Sequence, residues 1–166
     1  MALADRLIVL DHGKVLQQGS VEEVFARPAD AEVARIVGVE NVLPGRIEET
    51  VEGVSKVTVS QTHLFAVAPV PTAEEVLLCI RPEDIVLQRG TADQASARNR
   101  LPGRVSSVIP EGPLMRVAVD CGFPLISLVT QMTCAELALR EGEPVTAVNK
   151  AASIHLIART LRRTPC

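Results

Sequence analysis

Asn41-Val42-Leu43-Pro44-Gly45-Arg46-Ile47 and Asn99-Arg100-Leu101-Pro102-Gly103-Arg104-Val105 are one heptapeptide written twice in a chain of 166 residues. Six of the seven positions are identical or conservatively matched, so the region after residue 40 reads as a duplication. Each copy opens a series of short alternating segments separated by Gly, Pro and charged turns, which is the period of strands. In the first copy the candidates are Arg46–Glu49, Val54–Gln61, His63–Ala68, Val76–Arg81 and Ile85–Gln88. In the second they are Gly103–Ile109, Met115–Asp120, Leu125–Thr130, Val145–Asn149 and Ser153–Ala158. The copies also end alike: Arg81, then Ile85 and Leu87, parallels Lys150, then Ile154 and Leu156. The pattern predicts a mainly β chain with two tandem OB-like small barrels of about five strands each.

Outward from the repeats the texture changes. Arg89 to Arg98 is polar and aperiodic, and reads as a linker. A short helix is expected after Thr133 as N-cap, with Glu136 at the box position, ending at Glu141-Gly142-Glu143-Pro144. Before residue 41, Leu7–Leu10 and Val15–Gly19 flank the turn Asp11-His12-Gly13-Lys14 as a hairpin. Ser20 and Glu23 form a capping box for a helix that stops near Pro28, and a second helix spans roughly Asp30–Val37 before Gly38. The division is therefore 1–40, 41–90, 91–160 and a tail at 161–166.

Composition narrows the function. Hydrophobic residues make up 47% and aromatics only 2%, so the core is built from Val, Leu, Ile and Ala. The lack of exposed rings and a net charge of −3 argue against nucleic acid, which needs a basic face and stacking surfaces. No apolar run approaches a membrane span, and Asp5 and Arg6 interrupt the amino-terminal one, which argues against a signal peptide. Cys79, Cys121, Cys134 and Cys166 have no metal-ligand spacing, and read as thiols in a reducing cytosol with no metal. His12, His63 and His155 are scattered, with no nucleophile–base pair, so no catalytic residue is nominated. Leu7–Asp11 has the shape of a Walker B strand, but His12 and Gly13 follow it in place of Glu. No G-x-x-x-x-G-K-[ST] loop is present to cradle ATP phosphates.

Two stretches carry chemistry: Ser96-Ala97-Arg98-Asn99, opening the second series of strands, and Lys150-Ala151-Ala152-Ser153, joining its last two. A tetrahedral dianion needs donors and no acceptors. Hydroxyls, turn N–H groups and one ammonium supply them without a basic surround, provided that several converge. Each stretch alone also reads as an ordinary linker end or turn.

Residues 1 to about 40, carrying Ala4–Val15, Gln18-Gly19-Ser20, Glu22–Phe25 and Arg27-Pro28, resemble the end of the ATPase domain of ABC importers. Arg81-Pro82-Glu83-Asp84-Ile85 resembles the motif of the accessory TOBE-type barrel of such importers. Residues 96–158 resemble the Mop module of molybdate-binding proteins. The carrying residues are Ser96–Asn99, Leu101, Gly103, Val105, Thr130, Thr133, Glu136–Leu139, Gly142, Val145 and Lys150–Ile154. The resemblance implies a non-enzymatic regulatory region of a molybdate/tungstate importer ATPase, with no cofactor of its own and ATP bound only by a longer parent. The nominated oxyanion ligands are Ser96, Ala97, Arg98, Asn99, Lys150 and Ser153, with Thr130 a weaker candidate. It also implies a homodimer, membrane permease subunits as partners through the parent, and a cytoplasmic place at the inner face of the membrane. Ala152 stands where members often carry a hydroxyl. The first repeat has Gly38-Val39-Glu40 before Asn41, and Pro82, which lacks an N–H, after Arg81. The first barrel is therefore expected to be structural. The alternative is an accessory barrel of a sugar, iron or polyamine importer, a spacer or docking surface without oxyanion affinity.

Overall fold

The computed structural model describes residues 5–67, 73–90 and 99–159. Strands β1 (Arg6–Asp11) and β2 (Lys14–Ser20) form the expected hairpin. His12 (φ 44°) and Gly13 (φ 75°) both take left-handed backbone, as a tight two-residue turn requires. Helix α1 (Val21–Ala26) starts on Ser20, whose hydroxyl accepts from the Glu23 N–H at 3.1 Å. Helix α2 (Ala31–Ile36) starts on Asp30, whose carboxylate accepts from the N–H groups of Glu32 and Val33. Val9, Val24 and Val33 pack together between hairpin and helices.

The β region has the order β3 (Asn41–Val51), β4 (Val54–Val59), β5 (Thr62–Val67), β6 (Glu75–Ile80), β7 (Val86–Gln88), β8 (Asn99–Glu111), β9 (Leu114–Asp120) and β10 (Pro124–Thr130). Helix α3 (Gln131–Glu136), β11 (Pro144–Asn149) and β12 (His155–Ala158) complete it, with single 3-10 turns at Pro82–Asp84 and Ala151–Ser153. These strands build two five-stranded antiparallel sheets, β12-β6-β3-β4-β5 and β10-β9-β8-β11-β7. Each curls until its edges approach, β5 toward β12 and β10 toward β7. The last strand of each copy sits in the other copy's sheet: β7 pairs with β11, and β12 with β6. Through that exchange one continuous core runs from Leu43, Leu64 and Leu78 to Leu101, Val117 and Leu125.

Both heptapeptides lie inside long strands, which begin five and four residues before the expected starts at Arg46 and Gly103. The reason is a change of partner. Residues 41–46 pair with β6 and 46–51 with β4, while 99–104 pair with β11 and 104–111 with β9. Pro44 and Pro102 fall where the strand is paired on one side only, so a missing N–H is tolerated. Gly45 and Gly103 lie where the strand crosses the core. A Cβ on Gly103 would stand 2.5 Å from the Asp120 carbonyl oxygen, and one on Gly45 2.7 Å from Leu78 Cδ1.

One helix start differs from expectation. Helix α3 begins three residues early, with Thr130 rather than Thr133 as its N-cap. The Thr130 hydroxyl accepts from the Thr133 N–H at 3.0 Å. Two hydroxyl residues stand three apart there, and the end of β10 at Thr130 decides which of them caps.

Candidate functional site

Strand register brings the ends of the two candidate stretches together. Asn99, the first residue of β8, lies directly opposite Asn149, the last of β11, and Lys150 follows at once. Lys150 keeps extended backbone, so side-chain alternation turns Asn149 inward, with Val145 and Ala147, and Lys150 outward, with Thr146 and Val148. Lys150 is exposed. The 3-10 turn after it, closed by Ser153 N–H donating to the Lys150 carbonyl at 3.0 Å, packs on β5. Ser96, Ala97 and Arg98 lie outside the described residues.

The structure gives the Asn99 side chain a specific task. It is 2% exposed, accepts from the Phe65 N–H at 2.7 Å and donates to the Phe65 carbonyl at 2.9 Å. Asn41 does the same from the other copy. It accepts from the Ile126 N–H at 2.6 Å and donates to the carbonyls of Ile126 (2.9 Å) and Ile80 (3.2 Å). Each repeat asparagine thus clamps its strand to an edge strand of the opposite sheet, β5 or β10. Within one chain Thr130 is not brought to Lys150. It pairs with Leu114, which pairs with Glu111, twelve residues along β8 from Asn99.

Ser153 is half-buried and lines a cleft of about 410 Å³ with Phe25, Arg81, Glu83, Asp84 and His155. Burial and the neighbouring Glu83 charge raise the Asp84 carboxyl above its usual range, partly opposed by Arg81. Burial lowers the His155 imidazole, opposed by a hydrogen bond with the Pro28 backbone and aided by the Arg27 charge. Two carboxylates make this cleft a poor host for a dianion. Burial alone pushes the Cys79 thiol, on the cleft wall, up to about 12.

The first copy uses the matching positions internally. Arg81, which corresponds to Lys150, donates to the Phe25 carbonyl at 2.7 Å, with its guanidinium 5.2 Å from the Phe25 ring centre. Glu40, at the position of Arg98, accepts two hydrogen bonds from Arg116, which also donates to Glu111 at 2.8 Å. Those bonds hold the Arg116 guanidinium above its usual range. An acid paired with an arginine occupies the place where the second copy has Arg98 in its sequence.

Three donors that sequence reading did not nominate stand out: Gln88 Nε2, Arg100 Nη1 and Asn149 Nδ2 are buried without a hydrogen-bond partner. The signal for Arg100 was present in the repeat itself, where Arg stands against Val42. Among the described residues no cluster of three His, Cys, Asp or Glu could hold a metal. No described helix is long and apolar enough to cross a membrane.

Paired small barrels with a duplicated N-x-L-P-G-R strand define the class, and residues 95–156 of the chain match the model of the TOBE domain family. More particularly, it is a relative of the C-terminal part of molybdate/tungstate import ATP-binding proteins. It is 33% identical over 156 residues to the molybdate/tungstate import ATP-binding protein WtpC of Pyrococcus abyssi, covering 93% of this chain and 43% of that protein. It is 29% identical over 157 residues to the molybdenum import ATP-binding protein ModC of Rhizobium etli, covering 92% and 44%. The chain thus spans about two fifths of the length of the curated relatives it matches. In fold it is similar to the cytoplasmic molybdate-binding protein ModG, solved with molybdate bound. The TM-score is 0.65 at 24% identity, over 73% of this chain and 97% of that one.

Proposed function

We propose that this chain is an oxyanion-binding regulatory region of an ABC importer ATPase for molybdate or tungstate, and that it binds rather than catalyses. The observation that carries the reading is the Asn99–Asn149 register pair. It joins the end of the Ser96–Asn99 stretch to the start of the Lys150–Ser153 turn. Lys150 supplies the charge, Ser96, Ala97 and Arg98 further donors, and Ser153 a hydroxyl. The Asn99 amide keeps the strand in place rather than spending its hydrogen bonds on the ion. Thr130 joins such a site only from a second copy of the chain, which fits a twofold pair.

In the parent transporter, bound oxyanion favours one arrangement of the paired regulatory regions and so modulates import through the membrane permease, at the cytoplasmic face. That effect requires different affinity for the two arrangements; tight binding alone shifts nothing. Calorimetric titration with molybdate and tungstate tests the reading. The exposed position of Lys150 sets the scale: one charge-assisted contact is worth about 1.5–3 kcal/mol, so Lys150→Ala should weaken binding at least tenfold. His63→Ala should not change it, because the exposed His63 ring faces Thr58 and Glu48 of the first sheet. A parent chain that takes up neither ion supports the alternative instead, an accessory barrel acting as a spacer.

A further inference from the structure

The two copies superpose by register, and one face breaks the correspondence. In the first sheet the outer face of β6 carries Leu77 and Cys79, flanked by Val42 on β3 and Ile157 on β12. This face is apolar and packs against Ala34, Val37 and Val39 at the end of α2. In the second sheet the same positions on the outer face of β11 are Thr146 and Val148, flanked by Arg100 on β8 and Gln88 on β7. Val42 has become Arg100, Leu77 Thr146 and Ile157 Gln88.

The replaced residues are not satisfied within the chain. The Thr146 hydroxyl donates to the Gly90 carbonyl at 3.2 Å, but Arg100 Nη1 and Gln88 Nε2 are buried with no partner. A buried donor left unpaired destabilises the fold, and more so when it is charged. The fold does not require either residue, because it builds the same face from Val42 and Ile157 in the first sheet. On this face β7, β11 and β8 contribute no carboxylate, only Val86, Gln88, Arg100, Pro102, Arg104, Pro144, Thr146 and Val148, and Lys150 continues the row. The carboxylate of the face on the next strand, Asp120 of β9, stands opposite Arg104, four residues along β8 from Arg100. Arg100 lies opposite Val148, and Lys150 is two residues further along β11. The two cations are therefore diagonal neighbours, a spacing of roughly 7–8 Å that long side chains bridge.

We propose that the outer face of β11 is the floor of the oxyanion site, with Arg100 and Gln88 donating to the ion beside Lys150. The inference rests on the oxyanion reading above and adds two ligands to it. The ion takes the hydrogen bonds that Arg100 Nη1 and Gln88 Nε2 lack in the chain alone. Arginine presents a planar fork of donors to oxyanion oxygens, and the Gln88 amide adds a neutral one without further charge.

The test uses the full chain, Arg100→Met and Gln88→Met, with thermal melting in the absence of ion and calorimetry with sodium molybdate. Removing an unpaired buried donor should leave the ion-free melting temperature unchanged or raised, while molybdate affinity falls at least tenfold in each variant. Arg100→Met that binds molybdate like the parent overturns the inference and leaves the Lys150 reading standing. So does an Arg100→Met chain that melts well below the parent without ion, since Arg100 would then be partnered and structural. If Arg100→Met does not fold, Gln88→Met decides by the same two readouts. A parent that binds neither molybdate nor tungstate removes the function and this floor together.

Discussion

Replacing Asn41 by Ala separates a structural role for the repeat asparagines from a ligand role. The Asn41 amide makes three hydrogen bonds, to Ile126 N–H, Ile126 carbonyl and Ile80 carbonyl, and the residue is 3% exposed. Each is worth about 1 kcal/mol net, so their loss costs about 3 kcal/mol. Ile126 is only half-buried, so water reaches part of what Ala leaves open and the larger desolvation penalty is not added. For a chain of this size that shift lowers the melting temperature by roughly 10 °C. Urea unfolding followed by far-ultraviolet circular dichroism should show the same loss at an unchanged m-value. The companion Asn99→Ala removes two hydrogen bonds to Phe65 and should cost about 2 kcal/mol. An Asn41→Ala chain within about 0.5 kcal/mol of the parent would refute the clamp. An Asn99→Ala chain of unchanged stability but lost molybdate binding would return Asn99 to the ligand set.

Two further outcomes follow from the geometry. Gly103→Ala places a Cβ 2.5 Å from the Asp120 carbonyl oxygen and 2.8 Å from Cys121 Sγ. It should destabilise the chain by about 1–3 kcal/mol, measured by chemical denaturation; a neutral result would mean that β8 and the 120–121 turn separate freely. His155 is half-buried, and that burial lowers its pKa from the ordinary imidazole value, so the folded chain favours the neutral ring and the unfolded chain binds the extra proton. Its contribution is full above the ordinary histidine pKa and is lost as the pH falls below that, and His155→Gln should flatten this part of the melting-temperature profile.

The class of fold was written in the chain because strand periodicity and a repeated heptapeptide are local signals. Six of seven matching positions declared two copies, and Ser20, Asp30 and Gly13 marked helix and turn boundaries through contacts only a few residues apart. Where a local signal was ambiguous, the partner strand decided. The strands read as starting at Arg46 and Gly103 begin at Asn41 and Asn99, because β3 and β8 change partners at Arg46 and Arg104. Thr133 read as the cap from its spacing to Glu136, but β10 ends at Thr130, and Thr130 caps the helix instead.

For the candidate site, the sequence by itself singled out Lys150 and the stretch ending at Asn99 by residue type. The tertiary structure decided that Asn99 faces Asn149, that its amide is occupied by Phe65, and that Thr130 lies at the far end of the β8–β9 hairpin. The exchange of β7 and β12 between sheets was invisible beforehand. In a duplicated chain each of these strands meets nearly the same neighbours whichever copy it joins, so side-chain pattern cannot choose. The choice is made by chain connectivity and by the faces left to cover, α2 over the apolar one and an unpaired arginine on the other.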